Sequence, residues 1–175
     1  MTFPARAGFA GLTDWFVDGP QLAKVRDGAT AAAMVRIYDD HPDRVTPLLM
    51  YFHGGGWVLG DVGTHDGLCR HLAQKTGCVV ASVDFDPAPE NRFPGPLDQC
   101  YRATAELVDR AGEFAADPCR VAVAGDSAGG NLAAATAIKA RDEDGPSITL
   151  QVLLCPVIEP NFDRESYRQF ATGYA

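Results

Sequence analysis

The chain has 175 residues, 46% of them hydrophobic, which predicts a single domain with one sizeable core. Its formal net charge is -8. Nucleic acids and anionic membrane surfaces bind clustered Lys and Arg, so we expect neither as a partner. No apolar run is long enough to span a bilayer, and Arg6, Asp14 and Asp18 lie where a signal peptide would need its hydrophobic core.

The cysteines predict neither disulfides nor a metal site. They are Cys69, Cys78, Cys100, Cys119 and Cys155. The number is odd, the spacing is wide, and no C-x-x-C or Cys/His pair has metal-binding spacing. We therefore expect small buried side chains in a reducing, cytoplasmic compartment, with no metal and no cofactor.

The first elements of the chain lead to a central strand. Residues 1–28 mix apolar residues with Gly and Pro without a clear period, and we expect an N-terminal flap there, ahead of the main domain at 29–175. Residues 31–38 end in an alternating pattern typical of a half-exposed strand. Residues 39–47 predict a solvated turn, and the apolar run at 48–52 predicts a central strand buried on both faces.

That strand continues directly into His53-Gly54-Gly55-Gly56-Trp57. Three consecutive glycines cost conformational entropy unless the backbone must approach something closely. At a strand end their N–H groups can point into a cleft, which favours an oxyanion hole. The alternative is a flexible or phosphate-binding loop, but no Lys-Ser/Thr follows and no G-x-G-x-x-G frame exists, so nucleotide binding is poorly supported.

Helices and strands alternate through the rest of the chain. The patterns predict a helix at 66–76 stopped by glycine, a strand at 78–83, a loop at 84–96, a helix at 97–114 and a strand at 148–157. In the second helix, Leu97, Tyr101, Ala105 and Val108 form the expected apolar face. Strands that alternate with helices through short loops predict a mostly parallel α/β sheet with helices on both faces.

Between those elements lies Gly125-Asp126-Ser127-Ala128-Gly129-Gly130. The β-branched run at 120–124 precedes it as a buried strand, and an alanine-rich helix former at 131–135 follows. A glycine on each side of G-x-S-x-G lets the backbone turn sharply and hold a serine hydroxyl at the carboxyl edge of a parallel sheet. Ser127 is therefore the candidate nucleophile, and Asp126 beside it is expected to have a structural hydrogen-bonding role.

With these motifs, the sequence resembles the hormone-sensitive-lipase-like esterases of the α/β-hydrolase superfamily. The match extends from about Val25 to the last residue and includes Ala88-Pro89-Glu90. The resemblance implies a fold of that superfamily and a small-molecule ester substrate with a short acyl chain. It implies that Ser127 attacks the ester carbonyl. It also implies that the N–H groups of Gly55, Gly56 and Ala128 hold the oxyanion, while His53, Gly54 and Trp57 support the loop.

No catalytic base can be assigned. The histidines are His41, His53, His65 and His71, and all of them precede Ser127. In this superfamily the order is nucleophile, acid, histidine, but the 48 residues after Ser127 (175 minus 127) contain no histidine. The triad acid and histidine are thus not assigned within this chain, and structural or surface roles are favoured for its histidines.

The last residues predict an incomplete domain. Residues 165–175 resemble the stretch after the family's sixth strand, where a cap helix begins, so we expect the N-terminal part of a longer hydrolase. The strand at 148–157 would then be an exposed edge prone to self-association. Two functions remain open at this point: an ester hydrolase that needs further residues for full activity, and a non-catalytic ligand-binding protein or inactive remnant on the same scaffold.

One loop departs from the family pattern. Phe85-Asp86-Pro87 replaces the usual Tyr-Arg-Leu, which removes a positive charge beside Asp84 and Glu90 and should rearrange the loop. Three carboxylates could suggest a metal, but the prolines and the absence of histidine favour a solvated acidic loop.

Overall fold

A computed structural model describes residues 18–172 as six strands and four α-helices. The strands are β1 (Lys24–Ala29), β2 (Met34–Asp39), β3 (Thr46–Phe52), β4 (Val79–Asp84), β5 (Ala116–Asp126) and β6 (Ile148–Leu154). The helices are α1 (Asp66–Thr76), α2 (Gly95–Asp109), α3 (Ala128–Asp142) and α4 (Glu165–Gln169), with a 3₁₀ turn at Ala111–Phe114. Within this range no helix is both long and apolar enough to cross a membrane.

The six strands form one mostly parallel sheet in the order β1-β2-β4-β3-β5-β6. β3 is parallel to both of its neighbours, β4 and β5, and β5 is parallel to β6. β1 and β2 join antiparallel at the opposite edge. β3 lies inside the sheet with almost every residue buried, as its continuous apolar run predicts.

Successive side chains of a strand point to opposite faces of the sheet, so the hydrophobic core has two parts, one on each face. Leu48, Met50 and Phe52 of β3 point to one face and pack with residues of α2 and α3. Leu49 and Tyr51 point to the other face and pack with residues of α1. Helices therefore cover both faces, which confirms the predicted fold class.

Helix α1 begins and ends where the sequence predicts. Gly77 adopts the left-handed conformation (φ 69°) that ends a helix, and its N–H donates to the carbonyl of Ala73. Helix α2 is shorter than predicted, because the chain leaves the α-helix after Asp109 and makes the 3₁₀ turn.

The buried face of α2 is also displaced from the predicted one. It is formed by Cys100, Ala103, Thr104 and Leu107. Of the predicted positions, Leu97 and Val108 are partly buried and pack against this core, as expected, whereas Tyr101 and Ala105 are partly buried and do not belong to it. The buried face is therefore centred about one residue earlier along the helix than the predicted face.

The predicted flap at residues 1–28 needs a partial correction. Residues 1–17 lie outside the described part of the chain. Residues 24–28 belong to β1 and pair with β2 at the sheet edge, so they are not part of a flap. The alternation within Lys24–Ala29 is too short and too polar to stand out from sequence alone.

The parallel register brings two loops to one end of the sheet. Phe52, the last residue of β3, pairs with Gly125 near the end of β5. The glycine-rich loop after β3 and the turn after β5 therefore lie side by side at the carboxyl edge, where open α/β sheets bind their ligands.

Candidate active site

Ser127 occupies the turn between β5 and α3 in a strained backbone conformation. Its φ and ψ are 52° and -117°, a region that residues with a Cβ adopt only when the surrounding structure holds them there. The Ser127 N–H donates to the carbonyl of Leu154 (2.8 Å), and its carbonyl accepts from the N–H of Val157 (3.1 Å) and of Asn131 (3.1 Å). The turn is thus fixed from both β6 and α3.

The turn from β5 through Ser127 into α3, named the elbow, needs glycine because α3 lies directly against the end of β3. A Cβ on Gly129 would lie 2.6 Å from the carbonyl oxygen of His53, and one on Gly130 would lie 2.9 Å from the Cβ of Pro156. Real Cβ atoms essentially never come this close. Gly129 therefore lets α3, and with it Ser127, lie close to the start of the loop after β3.

The loop after β3 turns sharply through its glycines. Gly55 and Gly56 have φ values of 116° and 63°, and Trp57 also has a positive φ of 61°. The carbonyl of Gly55 accepts from the N–H of Leu59 (2.8 Å), which closes the turn. The N–H of Ala88 donates to the carbonyl of Trp57 (2.8 Å), so the loop after β4 braces the turn from outside.

Three backbone donors around the elbow are free. Among residues 18–172, the N–H groups of Gly55, Gly56 and Ala128 have no hydrogen-bond acceptor. Ala128 is the first residue of α3, so its N–H lies at the positive end of the helix dipole. Unpaired donors at a helix N-terminus suit an oxygen that carries negative charge. Their assignment to an oxyanion hole remains a prediction.

His53 is buried as a neutral side chain. Its Nδ1 lies 2.8 Å from the carbonyl oxygen of Gly54, which can only accept, so Nδ1 carries the proton. The ring stacks on Phe85 with centroids 4.3 Å apart, and Nε2 is buried without a partner among the described residues. Burial lowers the pKa of His53 to about 4. Such a histidine can support the loop but is a poor base at neutral pH.

Asp126 connects the two loops through a single oxygen. Its Oδ1 accepts from the Tyr51 hydroxyl (2.7 Å) and from the Gly54 N–H (2.9 Å), and it lies 3.4 Å from Nε2 of His65. Burial raises the pKa of this carboxyl, but the hydrogen bonds from His65 and Tyr51 outweigh burial and hold the pKa below its usual value. Asp126 therefore has the hydrogen-bonding role that the sequence predicts, and it is ionised at neutral pH.

The remaining histidines have other surroundings. His41 is partly exposed in the turn before β3, and His71 is exposed on α1. Nδ1 of buried His65 lies 2.9 Å from the hydroxyl of Thr64. Within residues 18–172, the Ser127 hydroxyl makes no hydrogen bond.

The side-chain amide of Gln99 holds the acidic loop after β4. Gln99 accepts from the Asp86 N–H (2.9 Å) and donates to the Asp86 carboxylate (2.8 Å). Burial raises the pKa of Asp84, and the nearby carboxylates of Asp61 and Asp86 raise it further. Across the described residues, no three His, Cys, Asp or Glu side chains are grouped to hold a metal.

A cavity of about 520 Å³ opens beside the glycine loop. Its walls come from the glycine loop (Gly56, Trp57), from α3 (Asn131, Leu132, Ala135), from the loop after β4 (Ala88, Pro89, Asn91, Arg92, Phe93) and from the first turn of α2 (Pro96, Leu97). The lining is almost wholly apolar, and the volume is in the range of small-molecule sites.

Residues 49–175 match the family model described as the alpha/beta hydrolase fold. The chain belongs to this family. Over 133 residues it is 44% identical to esterase LipI of Mycobacterium tuberculosis, which covers 74% of this chain and 42% of LipI. Over 166 residues it is 40% identical to carboxylic ester hydrolase LipN of the same organism, covering 89% and 44%.

Solved α/β-hydrolase structures agree with this assignment. A hyperthermophilic esterase from the archaeon Pyrobaculum calidifontis superposes with a TM-score of 0.83 at 40% identity, covering 88% of this chain and 52% of that one. These comparisons confirm the resemblance to the hormone-sensitive-lipase-like esterases. The chain spans about half the length of the relatives it matches.

Sequence reasoning missed part of this α/β-hydrolase site. The sequence predicts Tyr51 only as a buried strand residue. Because a buried tyrosine hydroxyl needs a hydrogen-bond partner, its position could have indicated an acceptor nearby. The contact of His65 with Asp126 and the stack of Phe85 on His53 depend on how three loops meet at the sheet edge. No spacing in the sequence predicts either of them.

Proposed function

We propose that the protein acts as a carboxylic ester hydrolase with Ser127 as its nucleophile. The observation that carries the proposal is the strained serine at the N-terminus of α3, beside a loop whose backbone donors are free. In this proposal the N–H groups of Gly55, Gly56 and Ala128 form the oxyanion hole. His53, Gly54 and Trp57 hold the loop in shape.

The reaction would proceed through an acyl-enzyme. The Ser127 oxygen attacks the ester carbonyl and loses its proton to a base, and the carbonyl oxygen becomes an oxyanion held by the three donors. Collapse of this intermediate breaks the bond to the alcohol oxygen, which takes the proton from the base and leaves as the alcohol, while the acyl group stays on Ser127. Water then releases the acid by the same route. Removing one oxyanion donor typically raises the barrier by about 2.7 to 4 kcal/mol.

The mechanism also requires a general base, because a serine hydroxyl is a weak nucleophile by itself. His53 is excluded by its low pKa and its buried, loop-bound ring. We propose that the base and its carboxylate partner are supplied from outside these 175 residues, which matches the family order of nucleophile, acid, histidine.

The apolar cavity supports a small ester as the substrate. It begins at Gly56 and Trp57, next to the proposed oxyanion donors, and extends along α3 to Leu132 and Ala135. An acyl or alcohol group in this space would contact mainly carbon atoms. Because most of the lining surface is apolar, burying a charged group there would cost more hydration than burying a neutral one, so neutral short-chain esters are favoured.

The test uses a short-chain p-nitrophenyl ester and a serine-directed phosphonate, with Ser127→Ala as the matched control. Turnover or phosphonylation that disappears in Ser127→Ala supports the proposal. A folded sample that shows neither, even when free imidazole is added as the base, would favour the alternative, a non-catalytic ligand-binding protein. The free Ser127 hydroxyl is the observation consistent with that alternative.

We also propose that β6 mediates self-association in this 175-residue chain. Leu150 and Leu154 are 57% and 42% exposed, and no described strand pairs with the outer edge of β6. Open edges with exposed apolar side chains are prone to pairing. Light scattering should show oligomers that Leu150→Lys reduces. A monodisperse monomer with a cooperative melt would contradict this proposal.

A reducing, cytoplasmic location is proposed from the cysteines. All five are free in the structure, although the expectation that they are buried is wrong for Cys119 and Cys155, which are exposed. Purification without reductant followed by thiol titration under denaturing conditions should recover five thiols per chain. Recovery of fewer thiols, with disulfides located by mass spectrometry, would contradict it.

A further inference from the structure

The carboxylate of Asp126 lies between the two halves of the proposed site. It directly precedes Ser127 in the chain, and its Oδ1 accepts from the N–H of Gly54, which directly precedes Gly55. We propose that Asp126 is a positioning residue that fixes the oxyanion loop at its working distance from the nucleophile. This inference rests on the proposed function of Ser127 and the loop.

The loop needs such a tether because its own sequence supplies little rigidity. Gly54, Gly55 and Gly56 are consecutive and conformationally permissive. The bond from Gly54 to Asp126 is 2.9 Å long and joins residues 72 positions apart in sequence. The bond therefore anchors Gly54 to the elbow, and Gly55, whose N–H is the first free donor of the loop, is the next residue. An error of about 1 Å in such a placement can lower a rate by about 100-fold.

The carboxylate is itself held in place by two further side chains. The hydroxyl of Tyr51, whose side chain is fully buried, donates to the same Oδ1 at 2.7 Å, and Nε2 of His65 lies at 3.4 Å. Tyr51 comes from β3 and His65 from the residue before α1. Asp126 therefore cannot turn away from Gly54 without losing its other contacts.

The shape of the loop matches this contact. A Cβ on Gly54 would lie 2.9 Å from Cγ of Asp126, so the carboxylate occupies the space that any larger residue would need. This close approach gives Gly54 a reason to be glycine that is separate from the positive φ values of Gly55 and Gly56.

The test separates positioning from folding by comparing two reactions of one thiol. In a Ser127→Cys background, acylation by p-nitrophenyl acetate forms a thioester and releases p-nitrophenolate through a tetrahedral oxyanion. Alkylation by iodoacetamide displaces iodide and forms no oxyanion, so it does not use the proposed donors. Both products are quantified by mass spectrometry on the tryptic peptide Val121–Lys139, which contains no native cysteine.

We expect Asp126→Ala to lower acylation at position 127 by about 10- to 100-fold while alkylation changes less than about threefold. Asp126→Asn retains a carbonyl acceptor for the Gly54 N–H and should keep acylation within about threefold of the Ser127→Cys parent. Equal losses in both reactions would mean that Asp126 only maintains the fold. Unchanged acylation in a folded Asp126→Ala sample would also overturn the inference.

The exposed thiol of Cys119 serves as an internal reference for the proposed function. If the thiol at position 127 shows no higher ratio of acylation to alkylation than Cys119, the oxyanion hole itself is absent and the proposed function fails. If the higher ratio is present and persists in Asp126→Ala, only the positioning role fails.

Discussion

The buried imidazole of His53 should make the stability of the fold depend on pH in a defined window. In the native state Nδ1 donates to the Gly54 carbonyl, and Nε2 is enclosed without a partner among the described residues. Protonating Nε2 would place a positive charge in a buried site, stacked on Phe85 and 5.7 Å from the ring of His65. The unfolded chain binds that proton with an ordinary histidine pKa, whereas burial lowers the native pKa to about 4.

The sign and size of the effect follow from this difference. Above the unfolded pKa of about 6.5 neither state binds the proton, so the contribution of His53 does not vary with pH. Between about 6.5 and about 4 the unfolded state binds more protons, so stability falls as pH falls. At about 1.4 kcal/mol per pH unit, the full loss is about 3 kcal/mol, complete near pH 4.

The assay is denaturant unfolding of the native chain and of His53→Asn between pH 4.5 and 7.5. Asn keeps a donor for the Gly54 carbonyl but does not titrate. The stability difference between the two proteins should therefore shrink by about 2 kcal/mol as pH falls from about 6.5 to about 5. His71→Asn, at an exposed position on α1, is the control and should leave the slope unchanged. The same pH slope in the native chain and His53→Asn would refute the buried neutral imidazole.

Two further predictions concern the backbone of the elbow. Gly129→Ala would drive a Cβ against the carbonyl oxygens at the end of β3 and should lower the free energy of unfolding by about 2 kcal/mol or more in a urea titration. Gly112→Ala is the control, because a Cβ there meets nothing within 4 Å, and it should be neutral or slightly stabilising. Ser127→Gly removes the strain of a Cβ at φ 52° and should be about 1 kcal/mol more stable than Ser127→Ala by thermal or urea unfolding; equal stabilities would mean that the turn is not strained.

The fold was largely predictable because strong local signals agreed with one another. The apolar run of β3 and the glycine that ends α1 each determine an element with little help from the rest of the chain. β1 was missed, since its polar edge residues gain their structure from pairing with β2. The buried face of α2 was displaced because the sheet, more than the period of the helix alone, decides which residues point inward.

The candidate site was predictable only in part, for a similar reason. Ser127 and the glycine loop carry their signals in short motifs, since backbone conformation demands particular residues at fixed spacing. The link through Asp126, Tyr51 and Gly54 arises where three segments meet, and each residue alone has an ordinary explanation. Contacts of this kind become visible only once the register of β3 against β5 is known.

The assignment of Ser127 as the nucleophile can be tested by supplying a base as free imidazole. The native chain and Ser127→Ala are incubated with p-nitrophenyl acetate and increasing imidazole, and acetylation is mapped on the peptide Val121–Lys139. We expect imidazole-dependent acetylation of that peptide at Ser127 and its loss in Ser127→Ala. A folded chain in which this peptide stays unmodified, or is acetylated equally in Ser127→Ala, would contradict the assignment of Ser127 as the nucleophile.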